Sequence, residues 1–309
     1  QYPKFCHFAV KVNVLLQGFQ FFRPVLPLYK INNQSFEAFQ DWVSRWSAQV
    51  SIPLVIEADL KRVKSSKIKS FKVKERSTLN EDATFLITLK VKIGVNFESG
   101  DLLAIRPEED MVERLYSIAK IGKDILLSVK KHELGVCSSF LSKLSTGDTF
   151  KAAIKKNPDF HFPNAPSFFN RNSKKSVILI ANGTGIAPFL GMLDQIKKCI
   201  ATHLFWGVRT SKSFDTYKDM VEDACTRNQL SSYSVAYSRE KKKEYVQDLI
   251  LKRADLIAIE LELGSVIMIC GSLAMQRSVL AVLEEISSNK LNRPLDYFEK
   301  RKQIKTDCY

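Results

Sequence analysis

The stretch SVILIANGTGIAPFLGML, residues 176–193, combines the signals that decide the fold around it. The apolar run SVILIA predicts a buried strand, and a helix is predicted from about Pro188, because proline fits a first helical turn. Between the two, Gly183 and Gly185 would let the backbone approach a phosphate closely at the helix N-terminus. An ordinary strand–helix turn also uses glycine, so this stretch alone leaves phosphate binding open.

Outward from this stretch, strand and helix patterns alternate between residues 175 and 290. The predicted strands are SVILIA, THLFWGV, SSYSVAYS and SVIMIC, and a segment with helical spacing follows each. Such alternation predicts a parallel sheet with helices on both faces. Ligands bind sheets of this kind at the carboxyl ends of the strands.

Upstream, residues 66–155 contain short β-rich segments separated by turn signals. The segments FLITLKVKI, DLLAIRP, RLYSIAK and ILLSVKK predict an antiparallel barrel. The loop KKNPDFHFPNAPSFFNRNSKK is polar and contains prolines, which predicts a domain boundary. The expected fold class is therefore an antiparallel β-barrel followed by an α/β parallel-sheet domain.

A basic segment, YSREKKKEYVQ, follows the third predicted parallel strand, where the ribose of a bound dinucleotide is expected. Ser238, Arg239 and Lys243 would supply a hydroxyl and two cations to one place, and Tyr245 would offer its ring to an adenine. A 2′-phosphate needs such charge-assisted donors, whereas a 2′-hydroxyl calls for an acidic residue. The segment favours NADP(H); a solvated basic turn is the alternative.

Composition narrows the remaining functional classes. The chain has 309 residues and a net charge of +14, and it contains no apolar run long enough to cross a membrane. Its six cysteines lack paired spacing, which indicates no metal site and the reduced thiols of a cytoplasmic protein. The basic run at 61–77 is either a solvated linker or a surface for an acidic domain or anionic cofactor. No zinc spacing or recognition helix accompanies it, so a nucleic-acid role is not expected.

Six motifs occur in an order and approximate spacing that resemble the ferredoxin–NADP reductase superfamily. They are RLYS, GVCSSFL, GTGIAPF, LFWGVR, YSRE…YVQ and MICGSLAMQ. The resemblance covers residues 66–309. It implies FAD in the barrel, NADPH on the parallel sheet, and hydride transfer from NADPH to FAD.

The resemblance also implies roles for individual residues. Those implied to bind FAD are Arg114, Tyr116, Ser117, Gly135, Val136, Cys137, Ser138 and Tyr309. Those implied to bind NADPH are Gly183, Thr184, Gly185, Arg209, Ser238, Arg239, Lys243, Tyr245, Gln247, Cys270 and Gly271. Ser117, Cys270 and Asp307 are expected around the reacting flavin nitrogen N5, and Tyr309 is expected to stack on the flavin. These four are the expected catalytic residues.

One departure from the family pattern precedes the GTG motif. Ala181 and Asn182 stand where relatives have glycine and proline, so the phosphate loop is expected to differ in detail.

Residues 1–50 look like the last third of a flavodoxin-like FMN domain, a partial α/β segment. Their pattern predicts a helix, a short strand at VLPL (residues 25–28) and a second helix, and Tyr2 would match the aromatic that stacks on FMN. The chain is thus expected to be the C-terminal part of a diflavin reductase resembling cytochrome P450 reductase and sulfite reductase flavoprotein. FMN would bind in the full-length parent. The sequence leaves no room for the helical connecting domain of those enzymes. This favours a compact flavodoxin–reductase fusion of the bacterial type, some of which carry a PepSY region.

The predicted organisation is an FMN-domain fragment (1–50), a basic linker (51–65), an FAD barrel (66–155), a loop (156–175) and an NADP domain (176–309). Expected partners are the FMN domain of the same polypeptide or a flavodoxin, and then a haem or iron–sulfur protein. A cytoplasmic location is expected, with any membrane link in the missing N-terminal part of the parent. A single-flavin ferredoxin or flavodoxin reductase and a non-enzymatic basic module are the alternatives.

Overall fold

A computed structural model describes residues 7–21, 23–30, 36–52, 54, 68–91, 94–107, 113–163, 175–196 and 200–309. The chain divides into two compact units, residues 1–65 and 66–309. None of the helices in the described residues is long and apolar enough to cross a membrane.

The described part of the first unit consists of two helices, α1 (His7–Gln17) and α2 (Phe36–Val50). The predicted strand at residues 25–28 is wrong, because these residues form a bend and irregular backbone. Pro24 and Pro27 remove backbone donors, and no described strand of this unit lies beside the segment to pair with it. Tyr2 lies outside the described residues. Phe21 is fully exposed, whereas Val43 of α2 is buried.

The second unit begins with seven antiparallel strands that form the predicted barrel-like sheet. The elements are β1 (Lys69–Arg76), β2 (Thr84–Lys90), β3 (Leu102–Ile105), β4 (Arg114–Ser117), β5 (Ala119–Ile121), β6 (Asp124–Lys130), α3 (Val136–Lys143) and β7 (Thr149–Lys155). The strand order is β4-β3-β7-β1-β2-β6-β5. Alternate residues of these strands point inward, and Phe71, Phe85, Leu103 and Leu127 are among those that fill the core.

A five-stranded parallel sheet with helices follows. Its elements are β8 (Val177–Asn182), α4 (Ala187–Gln195), β9 (Thr202–Val208), α5 (Ser211–Asp215), α6 (Lys218–Thr226), β10 (Ser232–Tyr237), α7 (Val246–Lys252), α8 (Ala254–Leu263), β11 (Val266–Gly271), α9 (Leu273–Leu291), α10 (Leu295–Lys300) and β12 (Ile304–Cys308). The order β10-β9-β8-β11-β12 adds a fifth strand, β12, to the four that the sequence predicts. The predicted combination of an antiparallel barrel and a parallel sheet is confirmed.

Helix α4 packs directly on strand β5 and so joins the sheet to the barrel. The N–H of Gly122 donates to the Asp194 carboxylate at 3.1 Å, and Gln195 Nε2 donates to the Lys120 carbonyl at 3.1 Å. Gly191 permits this approach, since a Cβ at this position would lie 2.7 Å from the Ala119 Cα.

We therefore expect Gly191→Ala to destabilise the second unit by about 1–2 kcal/mol, because overpacking outweighs the gain in helix propensity. Urea unfolding of the purified chain measures the difference. Gly207→Ala is the control, since its Cβ would lie 3.5 Å from its nearest neighbour, the Val246 Cβ. A Gly191→Ala protein at least as stable as wild type would contradict this account of the contact.

Candidate active site

A cleft of about 680 Å³ opens where the carboxyl ends of β8, β9 and β11 face the barrel. Predicted site residues that line it are Gly183, Thr184, Arg209, Ser238, Tyr245, Gln247, Gly271 and Tyr309. Its volume is in the range of small-molecule and cofactor sites. The cleft thus lies at the edge where parallel-sheet proteins bind their ligands.

The floor of the cleft is the turn Gly183–Ile186, a short 3₁₀ helix between β8 and α4. Gly183 has φ of +52°, a left-handed conformation that glycine adopts without strain. Gly185 is buried against strand β11, and a Cβ there would lie 2.6 Å from the carbonyl carbon of Cys270. The close packing therefore requires Gly185, and the backbone conformation favours glycine at 183, whether or not a phosphate binds.

Asn182 gives the departure from the family pattern a structural role. Its side-chain oxygen accepts a hydrogen bond from the N–H of Ser272 at 2.9 Å, and its Nδ2 donates to the Ser272 hydroxyl at 3.1 Å. These two bonds tie the end of β8 to the end of β11. A Cβ on Gly271 would lie 3.1 Å from the Asn182 amide carbon, so this side chain occupies the space beside the glycine.

Ser117, Asp307 and Cys270 meet where barrel and sheet adjoin. Ser117, the last residue of β4, donates its hydroxyl to Asp307 Oδ2 at 2.7 Å. Asp307 lies opposite Cys270 in the parallel pairing of β11 with β12. The predicted grouping of these three side chains is present, although Ser117 and Asp307 are 190 residues apart in the sequence.

Burial changes the proton affinity of this group. It raises the pKa of Asp307 above its usual value, and the hydrogen bond from Ser117 opposes that rise only in part. Burial likewise raises the pKa of the Cys270 thiol, and the nearby Asp307 carboxylate adds to the effect. The site therefore contains a hydroxyl and a carboxyl group that can share a proton beside a neutral thiol.

Tyr309 extends this edge of the sheet into the cleft. Its N–H donates to the Gly271 carbonyl at 3.0 Å, and its hydroxyl interacts with the Thr184 side chain. The residue is 59% exposed, so the ring covers the site without being locked into a core.

Apart from Tyr309, the residues predicted to bind FAD lie on β4 and at the start of α3. Gly135 and Val136 line a second cleft of about 940 Å³, to which Arg106, Lys143 and Lys151 also contribute. Ser138 is buried, accepts a hydrogen bond from the N–H of His132 at 3.2 Å and donates to the Gly135 carbonyl at 3.1 Å. Its hydroxyl thus orders the loop before α3.

Two other predicted FAD residues pack towards the barrel interior. Cys137 is buried in the barrel core, and Tyr116 packs against that core. Burial raises the pKa of Tyr116, with a further contribution from Cys137. Arg114 occupies the other end of β4, opposite Ile105 of β3.

The predicted 2′-phosphate group is arranged around one turn. Ser238 donates its hydroxyl to the Val208 carbonyl at 3.2 Å, and the N–H of Arg239 donates to the Arg209 carbonyl at 2.9 Å. The Lys243 ammonium lies 5.2 Å from the centre of the Tyr245 ring. The Arg239 and Lys243 side chains are exposed and do not line the cleft, whereas Ser238 and Tyr245 do.

Sequence reasoning missed three titratable barrel residues that line the same cleft: Asp82, Lys130 and His132. Arg209 Nη1 donates to Asp82 Oδ1 at 3.0 Å. Burial lowers the pKa of Lys130, and neighbouring Arg209 lowers it further. Burial and then Lys130 lower the pKa of His132. The cations at the end of the predicted strand ILLSVKK, with His132 next to them, were the available signal, but their position opposite the parallel sheet depends on how the two sheets pack.

Comparison with known proteins agrees with the fold and the cleft. Residues 179–280 match the model of the oxidoreductase NAD-binding domain family. A ferredoxin-NADP⁺ reductase from Plasmodium falciparum superimposes with a TM-score of 0.63 over 80% of this chain and 97% of that one, at 20% identity. The chain therefore shares the fold of that reductase, and its residues 179–280 resemble the NAD-binding domain family.

Two curated relatives are similar over somewhat more than half of the chain. Nitric oxide synthase of Anopheles stephensi is 36% identical over 179 residues, which are 54% of this chain and 14% of that protein. NADPH–cytochrome P450 reductase of Dictyostelium discoideum is 28% identical over 194 residues, 59% of this chain and 28% of that protein. The chain spans less than a third of the length of either relative.

The raised pKa of Asp307 predicts how the stability of the folded protein depends on pH. Burial of the charged carboxylate destabilises the folded protein. The protein therefore becomes less stable as pH rises from the usual pKa of this group, 3.8, through its higher pKa in the folded state. Asp307→Asn removes that titration. We expect the variant to melt at a higher temperature than wild type at pH 8 and at about the same temperature at pH 4.

Asp101→Asn is the opposite-sign control. Burial alone would raise the pKa of Asp101, but hydrogen bonds from the Asn157 N–H and the Lys156 ammonium outweigh it and lower the pKa. A lowered pKa adds stability above the usual value of 3.8, so Asp101→Asn should be less stable than wild type at pH 8, by about 1.5–3 kcal/mol, where Asp307→Asn is more stable. An Asp307→Asn effect independent of pH would contradict the account of its burial.

Proposed function

We propose that this chain is the FAD- and NADP(H)-binding portion of a flavoprotein reductase that passes hydride from NADPH to FAD. The observation that carries the proposal is the hydrogen bond between Ser117 and Asp307. It joins the barrel motif RLYS to the end of the nucleotide-binding sheet, beside Cys270 and at the edge of the cleft.

The second cleft fits the phosphates of FAD. Arg106, Lys143 and Lys151 supply positive charge, and the backbone around Gly135 and Val136 is accessible from the cleft. Arg114, Tyr116 and Ser117 would then lie along the flavin part of the cofactor, and the loop ordered by Ser138 would hold its pyrophosphate. FAD supplies the hydride-accepting ring when bound.

The first cleft fits a nicotinamide dinucleotide. The turn at Gly183–Ile186 presents backbone at the end of β8, and Lys130 and Arg209 supply positive charge beside it. Thr184 and Gly271 would border the nicotinamide, and Ser238, Arg239 and Lys243 would receive the 2′-phosphate. The residues themselves then act by position: Ser117 and Asp307 hold a proton between them, and Tyr309 excludes water from the flavin face.

We extend the proposal to the parent protein. There, electrons would pass from FAD through FMN to a haem or iron–sulfur acceptor, in an enzyme of the NADPH–hemoprotein reductase or sulfite reductase flavoprotein type. The similarity to nitric oxide synthase and to NADPH–cytochrome P450 reductase supports this extension. The proposed partner is an FMN domain of the same polypeptide or a flavodoxin, and the proposed location is the cytoplasm.

A second candidate is a single-flavin reductase that uses a separate electron carrier. The match to ferredoxin-NADP⁺ reductase over 97% of that chain favours it. Flavin analysis of the full-length parent separates the two, because FAD with FMN supports the diflavin enzyme and FAD alone supports the single-flavin enzyme.

The basic experiment is to release and identify the flavin of the purified chain. We expect one FAD per chain, no FMN, and loss of the absorbance at about 450 nm when NADPH is added without oxygen. A chain that binds no flavin after incubation with FAD would contradict the proposal.

Cofactor preference is tested by Arg239→Ala. Loss of a charge-assisted hydrogen bond to the 2′-phosphate should raise KM for NADPH about tenfold to a hundredfold and leave KM for NADH nearly unchanged. Arg253→Ala removes an exposed cation outside the cleft lining and should change neither value. Equal losses with both cofactors in Arg239→Ala would show that Arg239 does not bind the 2′-phosphate.

The role of Tyr309 is tested by substitution with alanine. If its ring must leave before nicotinamide binds, its removal should increase kcat/KM for NADH far more than for NADPH, whose 2′-phosphate contacts already offset that cost. Tyr309→Phe keeps the planar ring and should retain the preference for NADPH. An unchanged NADPH/NADH ratio in Tyr309→Ala would rule out this gating role.

A further inference from the structure

Asp82 places a negative charge beside Lys130 on the barrel side of the cleft. It lies in the turn between β1 and β2, and it lines the cleft together with Lys130, His132 and Arg209. One carboxylate oxygen accepts the hydrogen bond from Arg209 at 3.0 Å, and the other accepts a hydrogen bond from the Ser213 hydroxyl. Both partners belong to the parallel-sheet part of the unit, so the carboxylate bridges the cleft.

The cations around Asp82 are crowded enough to need a counter-ion. Besides burial, Arg209 and Arg239 both lower the pKa of Lys130, whereas Asp82 raises it. Neighbouring like charges repel one another, and an anion among them relieves the repulsion. In the described residues Asp82 supplies that anion; Glu244, the other acid in the lining, pairs with Lys252.

The ion pair is also one that a stronger anion can replace. The Arg209 side chain is 35% exposed and that of Asp82 is 15% exposed, so solvent reaches the guanidinium. Arginine has five N–H donors, and phosphate accepts from them in the same forked geometry as a carboxylate. A dinucleotide in this cleft brings phosphate groups of higher charge than one carboxylate.

We propose that Asp82 lowers the affinity of the cleft for a dinucleotide, because it occupies Arg209 in place of a nucleotide phosphate and competes with that phosphate for it. This inference rests on the proposed nucleotide-binding function. It assigns Asp82 an effect opposite to that of a binding residue, since its charge weakens dinucleotide binding. The oxidised cofactor then dissociates more readily than the cationic cleft alone would allow.

Asp82→Asn tests the inference in the full chain. Titration with NADP⁺ should give a Kd about fivefold lower than that of wild type, the change expected from one part-buried ion pair. Glu81→Gln is the matched control, because it removes the same charge from the same turn. Glu81 accepts from the Thr210 hydroxyl and lies 3.9 Å from Lys212, not on Arg209, so its Kd should change less than twofold.

The effect should depend on Arg209. In an Arg209→Gln background, adding Asp82→Asn should leave Kd unchanged, because there is no longer a guanidinium to compete for. If the asparagine variant fails to fold, Asp82→Ser provides the same neutral charge for the titration. An Asp82→Asn Kd equal to or higher than that of a nucleotide-binding wild type would overturn the inference and leave Asp82 as a structural contact. A wild-type chain that binds no NADP⁺ would instead overturn the proposed function, and this inference with it.

Discussion

The pairing of β12 with β11 is the constraint on which the candidate site depends. The Ile267 N–H donates to the Gln303 carbonyl at 2.7 Å, and the register then places Asp307 opposite Cys270 and Cys308 opposite Gly271. A slip of one residue would turn Asp307 to the other face of the sheet and away from Ser117. The position of an ionisable group is thus set by main-chain hydrogen bonds rather than by side-chain contacts of its own.

Gln303 shows how that register is held. Its side chain is buried, and its Nε2 donates to the carbonyls of Leu261 at 2.8 Å and Ser265 at 3.2 Å. The turn before β12 is therefore anchored to the end of α8 before the strand begins. Replacing this amide would remove a buried donor from both carbonyls and leave the Leu261 carbonyl with the N–H of Gly264 at 3.2 Å.

The sequence predicted strands well where their apolar pattern was strong, as in SVILIA and SVIMIC, whose residues are almost all buried. It failed for two short segments. IKTDC alternates weakly and contains two charged residues, and it is a strand because β11 offers it an edge. VLPL has more apolar character but is no strand. In both cases a neighbouring strand, which a local pattern does not encode, decides the outcome.

The site was predictable to a similar extent. Motifs on the parallel sheet identified residues that now line the cleft, such as Gly183, Arg209 and Tyr245. Asp82 and Lys130 carry no such pattern, and they reach the cleft only because the barrel packs beside the sheet. Charged residues that one sheet contributes to a cleft on the other are therefore the part of the site that is hardest to predict from the sequence.

Trp206 gives the molecule its own optical probe of the cleft. Its indole is fully buried, donates to the Gly183 carbonyl at 3.1 Å and lies 5.0 Å from the Tyr217 ring, edge to face. The other two tryptophans, Trp42 and Trp46, belong to the first unit. Any movement of the turn at Gly183 therefore changes the surroundings of a single indole in residues 66–309. Its fluorescence reports the state of that turn without a label.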